Sequence, residues 1–152
     1  MHELTAADWA GIVYTSAEQV LETMFFCPVF GKSLARPSSD AVSASLRFEG
    51  EPSGCLTIGI TPRAARLLAS NFLGVEPDQT RPNEVEQVTG ELANIMCGNI
   101  LARNTSQKSI CLSHPQIVEL TSPSSCSIAV NLDIEGGLFT TYLTFDGLEI
   151  GK

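Results

Sequence analysis

The sequence predicts an α+β fold in which two long helices, together with one short helix, pack on one face of a largely antiparallel sheet. Apolar residues recur every three or four positions near the N-terminus and again over residues 84–105, a period typical of amphipathic helices. Elsewhere apolar and polar residues alternate with a period of two, which is typical of half-buried strands. The predicted order is helix, two strands, short helix, long helix and three strands, a block arrangement that favours the α+β class.

The first half of the chain predicts a helix, a loop, a hairpin and a short helix. Thr5 can cap the first helix, which ends before Pro28. Residues 31–40, rich in Ser and Pro, predict a loop. Alternating residues from 42 to 49, and again from 56 to 60, predict two strands joined by a Gly- and Pro-containing turn. Thr61-Pro62 then opens a short helix that stops near Gly74.

The second half predicts one long helix followed only by strands. Asn83, with Glu86 three residues later, is expected to cap a helix that reaches about Asn104. The three predicted strands are residues 110–120, interrupted by His114-Pro115; residues 127–134; and residues 139–145, after a turn at Gly136-Gly137. Since each half is a long helix followed by a meander, the order also hints at an internal duplication.

Length and charge limit the classes of function. A chain of 152 residues, 43% of them hydrophobic, suits a single domain over residues 1–152. A net charge of −8 argues against nucleic acid or an anionic membrane surface as a partner. The N-terminus has neither a basic stretch nor an apolar run, and no segment approaches the roughly 20 apolar residues that span a bilayer. We expect a soluble cytoplasmic protein with no membrane partner.

Cysteines and histidines do not form a recognisable site. The five cysteines are an odd number without a Cys-x-x-Cys pair, which favours buried free thiols in a reducing compartment. The histidines, His2 and His114, show no metal-ligand spacing, so no metal site is expected. Phosphate-binding glycine loops and a Gly-x-Ser-x-Gly turn are also missing from the sequence. Trp9 and the Phe25-Phe26 pair are expected in the core.

The long helix has two distinct faces when its residues are placed at 100° steps. One broad face is apolar and is expected to face the core. Opposite it runs a narrow polar stripe, in which Glu91 and Asn94 are three residues apart and leave the helix as neighbours. The apolar face comprises Val85, Leu92, Ala93, Met96 and Ile100, flanked by Val88, Ile95 and Leu101; the polar stripe comprises Glu84, Gln87, Glu91, Asn94 and Gly98.

Two residues of this stripe are poor choices for a merely solvated helix. Asn in a helix interior is less favourable than Ala by up to roughly 0.7 kcal/mol. Gly98, one turn after Asn94, costs about 1 kcal/mol more and leaves a gap beside the amide. Asn and Gly do occur on exposed helices, so an ordinary solvated face is the alternative interpretation, above all for Glu84, Gln87 and Gly98.

At this helix the sequence resembles a known family. The run from Gly90 to Asn99, GELANIMCGN, is similar to the Glu-x-x-Asn helix of the CheC, CheX and FliY chemotaxis phosphatases. The run from Glu22 to Phe26, ETMFF, resembles the end of the first helix in CheX-like domains. The order of elements agrees with the fold of that family, which has pseudo-duplicated halves. CheC-like members carry a second Glu-x-x-Asn on the first helix; here Glu18 is followed by Leu21, and Glu22 by Phe25, so one site favours the CheX type.

The resemblance implies a function, a mechanism and partners. It implies hydrolysis of the aspartyl phosphate of a CheY-like response regulator in two-component signalling, with Asn94 orienting the attacking water and Glu91 pairing with a lysine of the regulator. Glu84, Gln87 and Gly98 would extend the contact surface. No cofactor is implied on this chain, because the Mg²⁺ ion belongs to the regulator. The resemblance also implies a homodimer, since CheX-like domains pair through their sheets.

The chain also departs from the family pattern. Gln87 stands where the family has Asp or Ser, and the family's proline lies two residues beyond the position of Pro115. These departures keep a second interpretation open: a non-catalytic CheC-like docking module that binds a regulator, a signalling protein or a flagellar-switch protein. A third is a structural domain whose exposed polar helix has no role.

Overall fold

The computed structural model describes residues 4–104 and 110–147. In these two segments the helices are α1 to α3 and the strands β1 to β7, with a single 3₁₀ turn before α3. Their bounds are α1 Ala6–Met24, β1 Val29–Lys32, β2 Val42–Glu49, β3 Gly54–Ile60, α2 Pro62–Leu73, the 3₁₀ turn Pro77–Gln79, α3 Pro82–Asn104, β4 Cys111–Leu112, β5 Gln116–Val118, β6 Ile128–Ile134 and β7 Gly137–Phe145.

The strands of the described segments, β1 to β7, join one sheet, and each of their pairings is antiparallel. The order is β1-β6-β7-β3-β2, with β4 and β5 both paired to the outer edge of β2. The central pair, β3 and β7, is in continuous register from Gly54 opposite Phe145 to Ile60 opposite Phe139. The predicted α+β class with a largely antiparallel sheet is confirmed.

The strand order has an approximate two-fold symmetry about the β3–β7 pair. Each half of the chain runs from a long helix through an edge strand or strands into a hairpin. The edge strands are exchanged: β1 of the first half pairs with β6 of the second, whereas β4 and β5 of the second half pair with β2 of the first. This arrangement agrees with the duplication at which the element order hints.

The core lies between the three helices and one face of the sheet. Alternating positions of the strands are buried there, as in Leu56, Ile58 and Ile60 of β3. Trp9 of α1 packs on Phe145, with ring centroids 4.7 Å apart, and Phe145 in turn contacts the edge of Phe48. Aromatic side chains bury large apolar areas, so this cluster ties α1 to the sheet.

The ends of α1 differ in how well the sequence predicts them. Thr5 caps the helix as predicted, since its hydroxyl accepts the backbone N–H of Asp8 and the Asp8 carboxylate accepts that of Thr5. At the other end Phe25 is buried, but the prediction that Phe26 joins it in the core is wrong. Phe26 adopts a left-handed backbone (φ 52°) and exposes 69% of its surface, because it occupies the position after the helix where glycine is usual.

Two local predictions are wrong. Residues 31–32, assigned to a loop, belong to the edge strand β1, whose pairing with β6 overrides its weak local pattern. The predicted cap of α3, Asn83 with Glu86, lies two residues too late. Pro82 is already the first helical residue, and the Glu84 carboxylate accepts the backbone N–H of Arg81 at 2.9 Å.

The five cysteines are all free, as predicted, but they are not all buried. Cys27 and Cys97 are buried, and burial raises the pKa of their thiols to about 11 and about 12 respectively. Cys55 is half-buried, whereas Cys111 and Cys126 are exposed. Within the described segments, no helix combines the length and the apolar character needed to cross a membrane.

Candidate functional site

The long helix α3 is held by the sheet and by both other helices. It packs on β2 and β3 and contacts α1 and α2. Its predicted apolar face is buried as expected, with Ile95 only partly covered. Thr89, Gly90 and Cys97 are buried as well, which the apolar pattern alone did not indicate. A helix fixed on so many sides presents its remaining face at a defined position.

The predicted polar stripe of α3 faces outward. Gln87 and Glu91 are exposed, and Glu84, Asn94 and Gly98 are half-buried. Residues three apart on a helix have Cβ atoms about 5–6 Å apart, so Glu91 and Asn94 can contact the same partner group. The structure therefore places all five predicted site residues on one solvent-accessible face of the helix.

The two central side chains have no partner within the described part of the chain. Neither the Glu91 carboxylate nor the Asn94 amide is hydrogen-bonded there, whereas Asn99, on the same helix, accepts a hydrogen bond from Arg103 Nε at 2.9 Å. A side-chain amide has two donor hydrogens and one acceptor oxygen. Because Asn94 uses none of these groups internally, all are available to a bound molecule.

The other three stripe residues differ in what they contact. The Glu84 carboxylate caps the start of α3 through Arg81, which gives it a structural use. Gln87 has no such contact with any described residue. At Gly98, a Cβ atom would lie more than 4 Å from any described neighbour, so no element that the structure describes requires the glycine. Gly98 thus leaves an open gap one turn from Asn94.

A groove lies beside the stripe, between α3 and the segment from His114 to Ile117. Its volume is about 620 Å³, and α3 contributes Glu86, Gln87, Gly90 and Glu91 to one wall. Pro115 closes the bottom: a Cβ at Gly90 would lie 3.5 Å from the Pro115 Cβ. The proline whose position departs from the family pattern thus meets α3 one residue before Glu91.

Sequence reasoning missed this groove. Its two walls come from residues far apart in the chain, so no local pattern joins them. Two signals were present: the interruption of the predicted strand at His114-Pro115, which becomes the gap between β4 and β5, and the proline that the family pattern places after the Glu-x-x-Asn helix. His114 itself is exposed, and His2 lies outside the described residues.

A second depression lies on the polar face of the sheet, away from α3. It has a volume of about 430 Å³ and is lined by Ser and Thr hydroxyl groups, by Pro, Leu and Ala side chains, and by Arg36, Asn131 and Tyr142. Partial burial raises the pKa of Tyr142, an effect that the charge of Arg36 opposes. Among the described residues, no three His, Cys, Asp or Glu side chains are grouped so as to hold a metal ion.

Comparison with known proteins identifies the same fold. The family model described as "Chemotaxis phosphatase CheX" matches residues 42–132. The crystal structure of CheX from Vibrio vulnificus is 21% identical, with a TM-score of 0.73 over 95% of this chain and 100% of that one. CheX from Desulfovibrio desulfuricans is 18% identical, with a TM-score of 0.73 over 91% and 99%. The CheX–CheY–BeF3–Mg²⁺ complex from Borrelia burgdorferi is 18% identical, with a TM-score of 0.67 over 91% and 97%.

At these identities the solved structures establish the fold alone, and curated protein sequences gave no match. The family model is the stronger finding, because its matched region covers more than half of the chain and includes α3, the groove and strand β3 of the central pair. The chain therefore belongs to the chemotaxis phosphatase CheX family.

Proposed function

We propose that this protein hydrolyses the aspartyl phosphate of a CheY-like response regulator through Asn94 and Glu91. The observation that carries the proposal is the outward Glu91–Asn94 pair, whose side chains have no partner among the described residues. The similar structure from Borrelia burgdorferi is a complex of CheX with CheY, BeF3 and Mg²⁺, which supports a CheY-like partner.

The chemistry requires positioning rather than a strong base. A water oxygen forms a bond to phosphorus while the bond to the aspartate oxygen breaks, and the proton of the water leaves with the released phosphate. The Mg²⁺ of the regulator supplies charge stabilisation at the phosphoryl oxygens. Asn94 orients the water, since its amide oxygen can accept a hydrogen from it. Glu91 pairs with a lysine of the regulator and sets the depth of the helix.

The size of the effect is within reach of one positioned water. A hundredfold acceleration corresponds to only about 2.7 kcal/mol of transition-state stabilisation. Fixing a nucleophile in line can supply several kcal/mol by removing the cost of bringing it into place. A neutral amide does not remove a proton at physiological pH, so Asn94 acts by orientation.

The decay of a phosphorylated CheY-like regulator from the same genome tests the proposal. Its rate is measured alone, with this protein and with the Asn94→Ala variant. Faster decay that the substitution abolishes supports the phosphatase. Unchanged decay with several regulators contradicts it.

Docking without catalysis is the second candidate, and Gln87 favours it, because it replaces the Asp or Ser of the family pattern. A docking module and a phosphatase differ in their response to Asn94→Ala. If docking is the function, the Asn94→Ala variant still binds the regulator, and the phosphorylated regulator decays slowly with the wild-type protein and with the variant. If hydrolysis is the function, binding persists and only the wild-type protein accelerates decay.

A homodimer in the cytoplasm is part of the proposal. Strand β1 is an edge of the sheet among the described strands, and its Phe30 side chain is 70% exposed, which supports pairing of two sheets there. Sedimentation of the wild-type protein and of Phe30→Lys tests this. We expect a dimer that the lysine dissociates, and a wild-type monomer would contradict the proposal.

A further inference from the structure

The groove beside Glu91 has carboxylates on one wall, and on the other wall His114 and the apolar side chains of Pro115 and Ile117. Glu86 and Glu91 lie on the α3 wall, and both carboxylates are exposed. Glu86, like Glu91, has no ion pair or hydrogen bond with any residue that the structure describes. Across the groove, Ile117 exposes 44% of its surface. The groove therefore combines two unpaired negative charges with an apolar contact surface.

Gly90 sets the depth of the groove. It lies between the two carboxylates along α3, and its missing side chain lets the bottom of the groove extend to Pro115. A Cβ at this position would lie 3.5 Å from the Pro115 Cβ, an ordinary contact, so packing inside the domain does not require glycine. Glycine also weakens a helix interior. Its presence here favours a role for the open space itself.

These features define the occupant. Because Glu91 is assigned to the lysine beside the phosphoaspartate, Glu86 is the carboxylate that a further Lys or Arg side chain of the partner fits, and an apolar neighbour fits Pro115 and Ile117. About 620 Å³ is within the range of small-ligand pockets, enough to hold one or two side chains of a partner. Glu91 belongs both to the groove and to the proposed catalytic pair, so the two sites are continuous.

We propose that this groove is a second contact site for the same regulator, and that it binds a basic side chain and an adjacent apolar one from the surface next to the phosphoaspartate. The inference rests on the proposed function, because it takes the regulator as the partner. The groove contacts no reacting atom. It contributes to affinity and to the choice of regulator, whereas the rate of hydrolysis in the bound complex depends on Asn94.

Two glycine substitutions test the depth of the groove. Gly90→Ala adds a methyl group to its bottom, whereas Gly11→Ala adds one to an exposed position of α1 that has no neighbour within 4 Å. Both should raise the melting temperature slightly, since Ala is the better helix former. Only Gly90→Ala should weaken binding of the regulator loaded with beryllofluoride and Mg²⁺, by about tenfold.

Two charge substitutions test the occupant. Glu86→Gln removes a groove carboxylate, and Glu135→Gln removes an exposed carboxylate after β6. Glu86→Gln should weaken binding of the regulator by about fivefold, and this effect should be smaller at high salt. It should also raise KM without lowering kcat. Glu135→Gln should change neither the affinity nor KM. Equal binding by Gly90→Ala and wild-type protein would overturn the groove as a contact site. A normal affinity in Glu86→Gln alone would overturn the basic occupant.

The two proposals fail separately. Affinity for the beryllofluoride-loaded regulator requires no turnover, so the groove can be confirmed even if the protein proves inactive. The converse result is also distinguishable. If turnover depends on Asn94 but the groove variants have the wild-type KM, the phosphatase proposal stands and the groove proposal is rejected.

Discussion

Asn94→Ala should make the protein more stable and far less active. The Asn94 side chain is half-buried on α3 and has no hydrogen bond to lose among the described residues. Ala is the better helix former by up to roughly 0.7 kcal/mol, so the free energy of unfolding should rise by about 0.5 kcal/mol. For a chain of this size the melting temperature then rises by about 1–2 °C. Loss of the oriented water should reduce turnover by about a hundredfold.

The two changes are measured on the same samples. Urea denaturation followed by circular dichroism gives the free energy of unfolding. Single-turnover decay of the phosphorylated regulator gives the rate. Asn99→Ala is the matched control, because Asn99 has its own hydrogen bond with Arg103. Loss of that bond offsets the gain in helix propensity, so the variant should gain no stability and stay fully active.

The opposite results would refute the reasoning. If Asn94→Ala lost more than about 1 kcal/mol of stability, Asn94 would have a structural contact that the geometry does not contain. If the variant kept its turnover, the amide would not orient the water. A fall in activity together with a gain in stability is the pattern of a residue that serves function at a cost to the fold.

Three further predictions follow from the same structure. Gly98→Ala should raise the free energy of unfolding by about 1 kcal/mol in a denaturation experiment and reduce regulator turnover, since its methyl group enters the gap beside Asn94. Phe26→Gly should also stabilise the protein, by about 0.5 kcal/mol, because it relieves a left-handed backbone and loses little buried surface; a lower melting temperature would contradict this. With iodoacetamide at pH 8, mass spectrometry should detect rapid labelling of Cys111 and Cys126. Burial raises the pKa of Cys97 to about 12, so Cys97 should react only after unfolding. Labelling of Cys97 as fast as that of Cys111 and Cys126 would show that its burial is incomplete.

Sequence patterns predict this fold where the local signal and the tertiary environment agree. α3 is the best case: its apolar residues repeat at helical spacing and its buried face matches them. The hairpin of β2 and β3 is another, because alternation and a turn occur together. β1 fails this condition. It has only four residues, one of them Gly31, and it is a strand because β6 is available to pair with it.

Part of the candidate site could be predicted from the sequence and part could not. Glu91 and Asn94 are visible from the sequence because both lie on one helix, where spacing determines direction. The groove is not visible, since it depends on Gly90 meeting Pro115, and no periodicity relates two such distant residues. Phe26 is a third kind of case: an apolar residue next to buried Phe25 is expected inside, but the turn that ends α1 directs it outward.

The exchange of edge strands has a consequence for how the chain folds. When the first half leaves the ribosome, β1 has no strand to pair with until β6 is made, and the outer edge of β2 stays open until β4 and β5 follow. Contacts between such distant segments close large loops, which slows folding. Neither half can complete its own sheet. Two fragments cut near residue 76 should each expose open edges and aggregate alone, yet reassemble when mixed.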